Sequence, residues 1–144
     1  MTQVDRSALV LHTAEQMFDL VNDVLSYPSF LPWCASTEII EQAEQMMVAR
    51  LGVAKGGFKY SFVTRNSFET SPRLIKIELV EGPFSSLTGS WQFTELGEDA
   101  CKVNLSLSFG FKGKLAGLAM GKVFNQIAIA MVDAFCAQAD KRYS

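Results

Sequence analysis

Few residues in this chain are of a type and spacing that could carry out a reaction. There is one histidine, His12, and three cysteines, Cys34, Cys101 and Cys136. A general base needs a positioned partner within hydrogen-bond reach. None stands near His12 in sequence, so it reads as a surface or turn residue at the end of the first strand. No carboxylate pair or serine–histidine spacing stands out. Cys34 follows Trp33 in an apolar stretch, where burial raises a thiol's pKa and makes it inert. The three cysteines lack any metal-ligand spacing, and Gly56-Gly57 reads as a hairpin turn rather than a phosphate loop. The expectation is a protein that is not an enzyme, with no catalytic residue, no metal and no resident cofactor.

Two kinds of non-covalent chemistry remain. The first is apolar binding. Tyr27, Phe30, Leu31 and Trp33 crowd one short segment, Phe84, Leu87, Trp91 and Phe93 lie in later strand-like stretches, and Phe124, Ile127 and Met131 lie in an apolar helical stretch. Pockets for small molecules are lined mainly by such side chains, and each CH₂ moved from water is worth about 0.8 kcal/mol. A long apolar tail would bind by burial alone, provided the side chains leave a hollow instead of packing on one another. Phe30 and Leu31, on an exposed loop tip, would dip into a membrane during ligand exchange. The second is a basic rim: Lys55 and Lys59 flank one hairpin, and Lys112, Lys114 and Lys122 flank the start of the helix. Brought together, they would meet nucleic-acid phosphates.

These residues need elements to position them. From Lys114 to Arg142 the chain has no proline and no turn cluster, and Met120, Phe124, Ile127, Met131 and Phe135 recur at helical steps. This predicts a helix of roughly 40 Å. Lys122, Asn125, Gln126 and Asp133 interrupt the run, and a central charge opposes membrane insertion by ~2.5–3.5 kcal/mol, so it is read as a core helix. Gly113, Gly117 and Gly121 would let its start approach a sheet and leave the first turns looser.

Upstream, Gln3 to Leu11 reads as a strand with both faces partly covered. Thr13 and Gln16 form a capping box for a helix over Ala14 to Asn22. Pro28 starts a stub helix, which Pro32 stops. Strands follow over Ser36–Gln42, Met46–Ala54, Phe58–Glu69, Leu74–Glu81, Leu87–Leu96 and Lys102–Phe111. Turn signals separate them at 43–45, Gly56-Gly57, Ser71-Pro72, Gly82-Pro83 and 97–99. Clean alternation, as in Val103, Leu105, Leu107 and Phe109 against Asn104, Ser106 and Ser108, argues for antiparallel pairing with one wet face. The fold class is therefore α+β: a seven-stranded antiparallel curved sheet wrapped around a long C-terminal helix, with two short helices after the first strand.

The 144 residues fit one domain, 1–144, with 49% hydrophobic residues and a formal net charge of −2. That charge gives no bulk electrostatic grip on nucleic acid. Three unclustered cysteines suit a reducing, cytoplasmic setting, and the N-terminus lacks the pattern of a signal peptide.

Tyr27-Pro28-Ser29-Phe30-Leu31-Pro32-Trp33-Cys34 resembles a motif of the START-like proteins in the SRPBCC, or polyketide cyclase-like, superfamily. This group takes in coenzyme Q-binding proteins of respiratory membranes and the RatA ribosome-association toxins. Gly82-Pro83-Phe84 with Leu87, Gly89, Trp91 and Phe93 is similar to a second family pattern. So are Phe109-Gly110-Phe111, and Val123-Phe124 through Met131-Val132, Ala134-Phe135 and Arg142-Tyr143. The resemblance covers essentially the whole chain and implies a helix-grip fold. It implies one of two functions. The first is binding of an isoprenoid quinone, ubiquinone above all, in support of respiration, with transient contact at the inner membrane. The alternative is association with the large (50S) ribosomal subunit, blocking subunit joining and translation initiation.

Overall fold

The computed structural model describes residues 2–70 and 73–143, apart from the side chain of residue 116. Strand β1 (Thr2–Val10) leads into helix α1 (Ala14–Asn22) and a 3₁₀ helix (Val24–Ser29). Six strands follow: β2 (Cys34–Ala43), β3 (Met46–Lys55), β4 (Phe58–Thr70), β5 (Arg73–Glu81), β6 (Phe84–Gly97) and β7 (Ala100–Phe111). Helix α2 (Leu115–Arg142) closes the chain. The strands form one sheet in the order β1-β7-β6-β5-β4-β3-β2, with every pairing antiparallel. The architecture is thus the expected curved sheet around a long helix.

Local chemistry explains most boundaries. The Thr13 hydroxyl accepts from the Gln16 N–H and the Gln16 side chain accepts from the Thr13 N–H, which makes the expected capping box. Gly56 and Gly57 both take positive φ, 62° and 83°, the backbone of a two-residue hairpin turn that matches strand twist. Register shifts in the β2–β3, β4–β5 and β6–β7 pairings bend the sheet, since a bulge increases local twist. Gly89 permits the tightest approach: a β-carbon there would stand 2.3 Å from the Ser106 carbonyl oxygen.

Several expectations need correction. Leu9 and Leu11 are 73% and 84% exposed; β1 is an edge strand that buries Val4 on one side only. Pro28 lies inside the 3₁₀ helix rather than at its first residue. The Ser26 and Ser29 hydroxyls donate to the Asp23 and Ser26 carbonyls, so this short segment is held by side-chain bonds as well as its own turns. Helix α2 starts at Leu115, with Lys114 at the cap position. The turn at Ser71-Pro72 lies outside the described residues.

By length and composition, 117–142 would also cross a bilayer. Here Phe124, Ile127, Ala128, Val132, Phe135 and Ala139 are buried in the core, and Met120 and Met131 lie at its edge. Two aromatic clusters grip this face. Phe124 is ringed by Phe62, Phe84, Phe109 and Phe111, with centroids 4.8–6.1 Å away. Phe135 packs against Tyr27, Phe30 and Trp91, each at 5.3 Å. The two phenylalanines are three turns apart, about 16 Å along the axis.

Candidate functional site

Between the two clusters the interior is not filled. A recess opens there, about 710 Å³ with its mouth, of which about 70 Å³ admits the centre of a water molecule. Its wall has three parts. Helix α2 gives Phe124 and Met131; α1 and the lid give Val21, Val24, Tyr27 and Trp33; the inner faces of β3 to β7 give the rest, including Leu51, Thr64, Asn66, Ile77, Leu87, Trp91 and Leu107. The inner space of the recess is about half the ~150 Å³ of a cavity that holds benzene.

Of the eleven apolar residues singled out in the sequence, Tyr27, Trp33, Leu87, Trp91, Phe124 and Met131 line the recess. The other five do not. Phe84 is held in the Phe124 cluster, 5.1 Å from that ring. Phe93 stacks on Trp91 and meets Phe18 edge-on, away from the opening. Ile127 is 1% exposed, fully packed between helix and sheet. Leu31 is also 1% exposed, and Phe30 packs on Tyr27 and Phe135. Neither therefore forms an exposed loop tip ready to enter a bilayer, because the turn after the 3₁₀ helix folds both inward.

The lid is fixed by polar groups. The Tyr27 hydroxyl is buried and donates to the Val21 carbonyl, and burial raises its pKa well above the ordinary value. The Cys34 thiol donates to the Ser36 carbonyl at 3.6 Å, and burial pushes it up to about 11. Burial likewise pushes the Cys101 thiol up to about 11. Neither is an activated nucleophile.

His12 is not a surface residue. It is 8% exposed, and its Nε2 lies 2.7 Å from Asp140 Oδ1. Tyr143 packs beside its ring and donates to the Gln16 carbonyl, and Arg142 donates to Asp23. These contacts fasten the end of α2 to β1, α1 and the lid. Among the described residues no group of His, Cys, Asp and Glu side chains could hold a metal.

Sequence reasoning missed the polar part of the wall. Phe62, Thr64, Asn66 and Phe68 alternate along β4, and the middle pair lines the recess. Two polar residues between phenylalanines on a core-facing register were the available signal.

The five lysines are all exposed, and the chain path brings them to one end. A β-carbon on Gly56, at the tip between Lys55 and Lys59, would stand 3.0 Å from Val123 Cγ2, next to Lys122. The Lys112 N–H donates to the Pro83 carbonyl at 2.9 Å, fixing the corner that carries Lys112 and Lys114. A groove of about 370 Å³ follows the helix start, lined by Lys114, Lys122, Asn125 and the bare backbone of Gly113, Gly117 and Gly121. Among the described residues none of the five lysines forms an ion pair. There is no Asp or Glu anywhere in 45–68 or 100–132. The whole chain carries −2; these lysines contribute +5, which leaves −7 on the rest.

A protein of Vibrio cholerae named ribosome association toxin RatA is 50% identical to this chain over 143 residues, covering 99% of both chains. The coenzyme Q-binding protein COQ10 homolog B of Xenopus laevis is 26% identical over 144 residues, covering 98% of this chain and 59% of that one. The crystal structure of the Zhui aromatase/cyclase from Streptomyces sp. R1128 superposes with a TM-score of 0.89 at 20% identity, over 99% and 96% of the two chains. At that identity it speaks for the fold alone. The profile of the family described as polyketide cyclase / dehydrase and lipid transport matches residues 10–136. With helix grip, lid and recess in place, the chain belongs to the polyketide cyclase / dehydrase and lipid transport family, among relatives named for ribosome association.

Proposed function

We propose that this protein acts by binding rather than catalysis, and that its target is the large ribosomal subunit, where it blocks subunit joining. The observation that carries the reading is the lysine end: five exposed ammonium groups, none in an ion pair among the described residues, with no carboxylate in the two chain segments that supply them. Phosphate backbones are bound through such groups, with release of counterions. The groove beside them sets Lys114, Lys122 and the backbone of three glycines next to Phe109, Phe111 and Leu118, so the lysines flank it and can reach a phosphate ribbon that runs along it. The −7 on the remainder of the molecule orients an approach to RNA, since it repels the same phosphates. Likeness over the full length to proteins named for ribosome association supports the same reading. The test is sedimentation. Purified protein mixed with dissociated subunits should travel with the large subunit in a sucrose gradient and lower the 70S peak when magnesium is raised. Protein that stays at the top of the gradient while 70S particles form normally refutes it.

The recess favours a second reading, an apolar lipid of isoprenoid type held in the interior. Its wall is largely apolar, with a few polar groups among the apolar side chains, as ligand sites have. The small inner space argues for a head group or short chain inside, with any longer tail in the mouth. A complete ubiquinone tail is therefore a poorer fit than the sequence suggests. Organic extraction of purified protein followed by mass spectrometry tests this: a co-purified prenyl lipid supports it, and a clean extract from protein made in quinone-containing cells counts against it.

A further inference from the structure

The side-chain oxygen of Asn66 is buried and has no hydrogen-bond partner among the described residues. Asn66 lines the interior recess, on a strand where it pairs with Met47 on one side and Ile77 on the other. Nothing apolar can satisfy it, and an unmet buried acceptor costs a large part of a hydrogen bond's strength. Thr64, two residues back on the same face, is 4% exposed and lines the same space; its hydroxyl both donates and accepts. The other polar groups of the lining are the Tyr27 hydroxyl, which is already committed to Val21, and the indole N–H groups of Trp33 and Trp91, which only donate and so leave Asn66 as the acceptor.

We propose that Asn66 is the polar anchor of this recess, and that the recess selects apolar molecules carrying a hydrogen-bond donor, such as an isoprenoid alcohol or a hydroquinone. This rests on the second reading above. An amide oxygen only accepts. A hydroxyl, phenol or N–H on the ligand meets it, whereas an ether, an oxidised quinone or a bare hydrocarbon leaves it empty. Thr64 then takes a lone pair of the same ligand hydroxyl or donates to a neighbouring oxygen. The apolar remainder of the ligand lies between Trp33, Trp91 and Met131 toward the mouth.

Trp33 and Trp91 both line the recess, so their fluorescence reports occupancy directly. Farnesol and farnesyl methyl ether make the discriminating pair, since they share a tail and differ in the donor. The native protein should bind farnesol about threefold to tenfold more tightly than the ether, the worth of one neutral hydrogen bond. Asn66→Leu should bind both alike, at the affinity of the native protein for the ether, which also shows that the variant folds. Equal affinities in the native protein overturn the anchor while leaving interior lipid binding standing. A preference that survives in Asn66→Leu also overturns it. If neither compound changes the fluorescence, interior binding itself fails and the anchor with it.

Discussion

Charge reversal at the lysine end offers a quantitative check on ribosome binding. In Lys112→Glu/Lys114→Glu both changed side chains are exposed. The bond at this corner from the Lys112 N–H to the Pro83 carbonyl belongs to the backbone. Folding should therefore change by less than about 0.5 kcal/mol. Binding should change greatly. If the five lysines each neutralise one phosphate, the logarithm of the association constant falls with the logarithm of salt at a slope of about −3.5 to −4.5. Raising monovalent salt from 50 to 200 mM would then weaken binding by roughly 100- to 500-fold. Loss of two contacts cuts the slope by about 1.4–1.8, and the two new carboxylates lower affinity further at every salt concentration. The assay is a titration of large subunits against labelled protein at four salt concentrations. Glu98→Ala/Asp99→Ala, at the β6–β7 turn and the other end of those strands, is the control and should retain the steep slope. A variant with the native slope, or native binding indifferent to salt, would remove the lysine end from the interface.

Other outcomes follow from packing and protonation. Gly89→Ala should destabilise by about 1–3 kcal/mol through overpacking, because its new methyl meets the Ser106 carbonyl oxygen at 2.3 Å and Leu107 Cδ2 at 2.6 Å; urea denaturation gives the value, and an unchanged midpoint would mean the sheet flattens there without cost. Tyr27→Phe removes the donor to the Val21 carbonyl and should cost about 1–3 kcal/mol by leaving that acceptor unmet, read by the same assay. Stability should also fall between pH 9 and 11. Burial raises the pKa of Cys34 and Cys101 to about 11, and that of the Tyr27 hydroxyl further. The unfolded chain therefore loses these protons first, and rising pH favours it. Cys34→Ala/Cys101→Ala should flatten the first part of that fall in denaturation curves taken at half-unit steps of pH.

What the sequence by itself determined is local. Alternation in β7, the helical recurrence from Phe124 to Phe135, the capping box at Thr13 and the paired glycines at the β3–β4 turn each announce an element, because backbone periodicity decides which side chains share a face. Seven antiparallel strands around a terminal helix follow from those elements. The aromatic inventory of the interior was also legible, as was the grouping of lysines near two turns. Tertiary structure decided how the inventory is divided. Phe84 and Phe93 share a strand with Leu87 and Trp91, yet Phe84 is packed into the Phe124 cluster and Phe93 between Trp91 and Phe18, while Leu87 and Trp91 also border the recess. That division depends on how volumes from strands far apart in sequence meet across the helix, and close packing makes it sensitive to a single methylene. The same holds for His12, which finds Asp140 across 128 residues, and for Asn66, whose polarity is visible in the chain while its want of a partner is visible only once β3, β5 and α2 have closed around it.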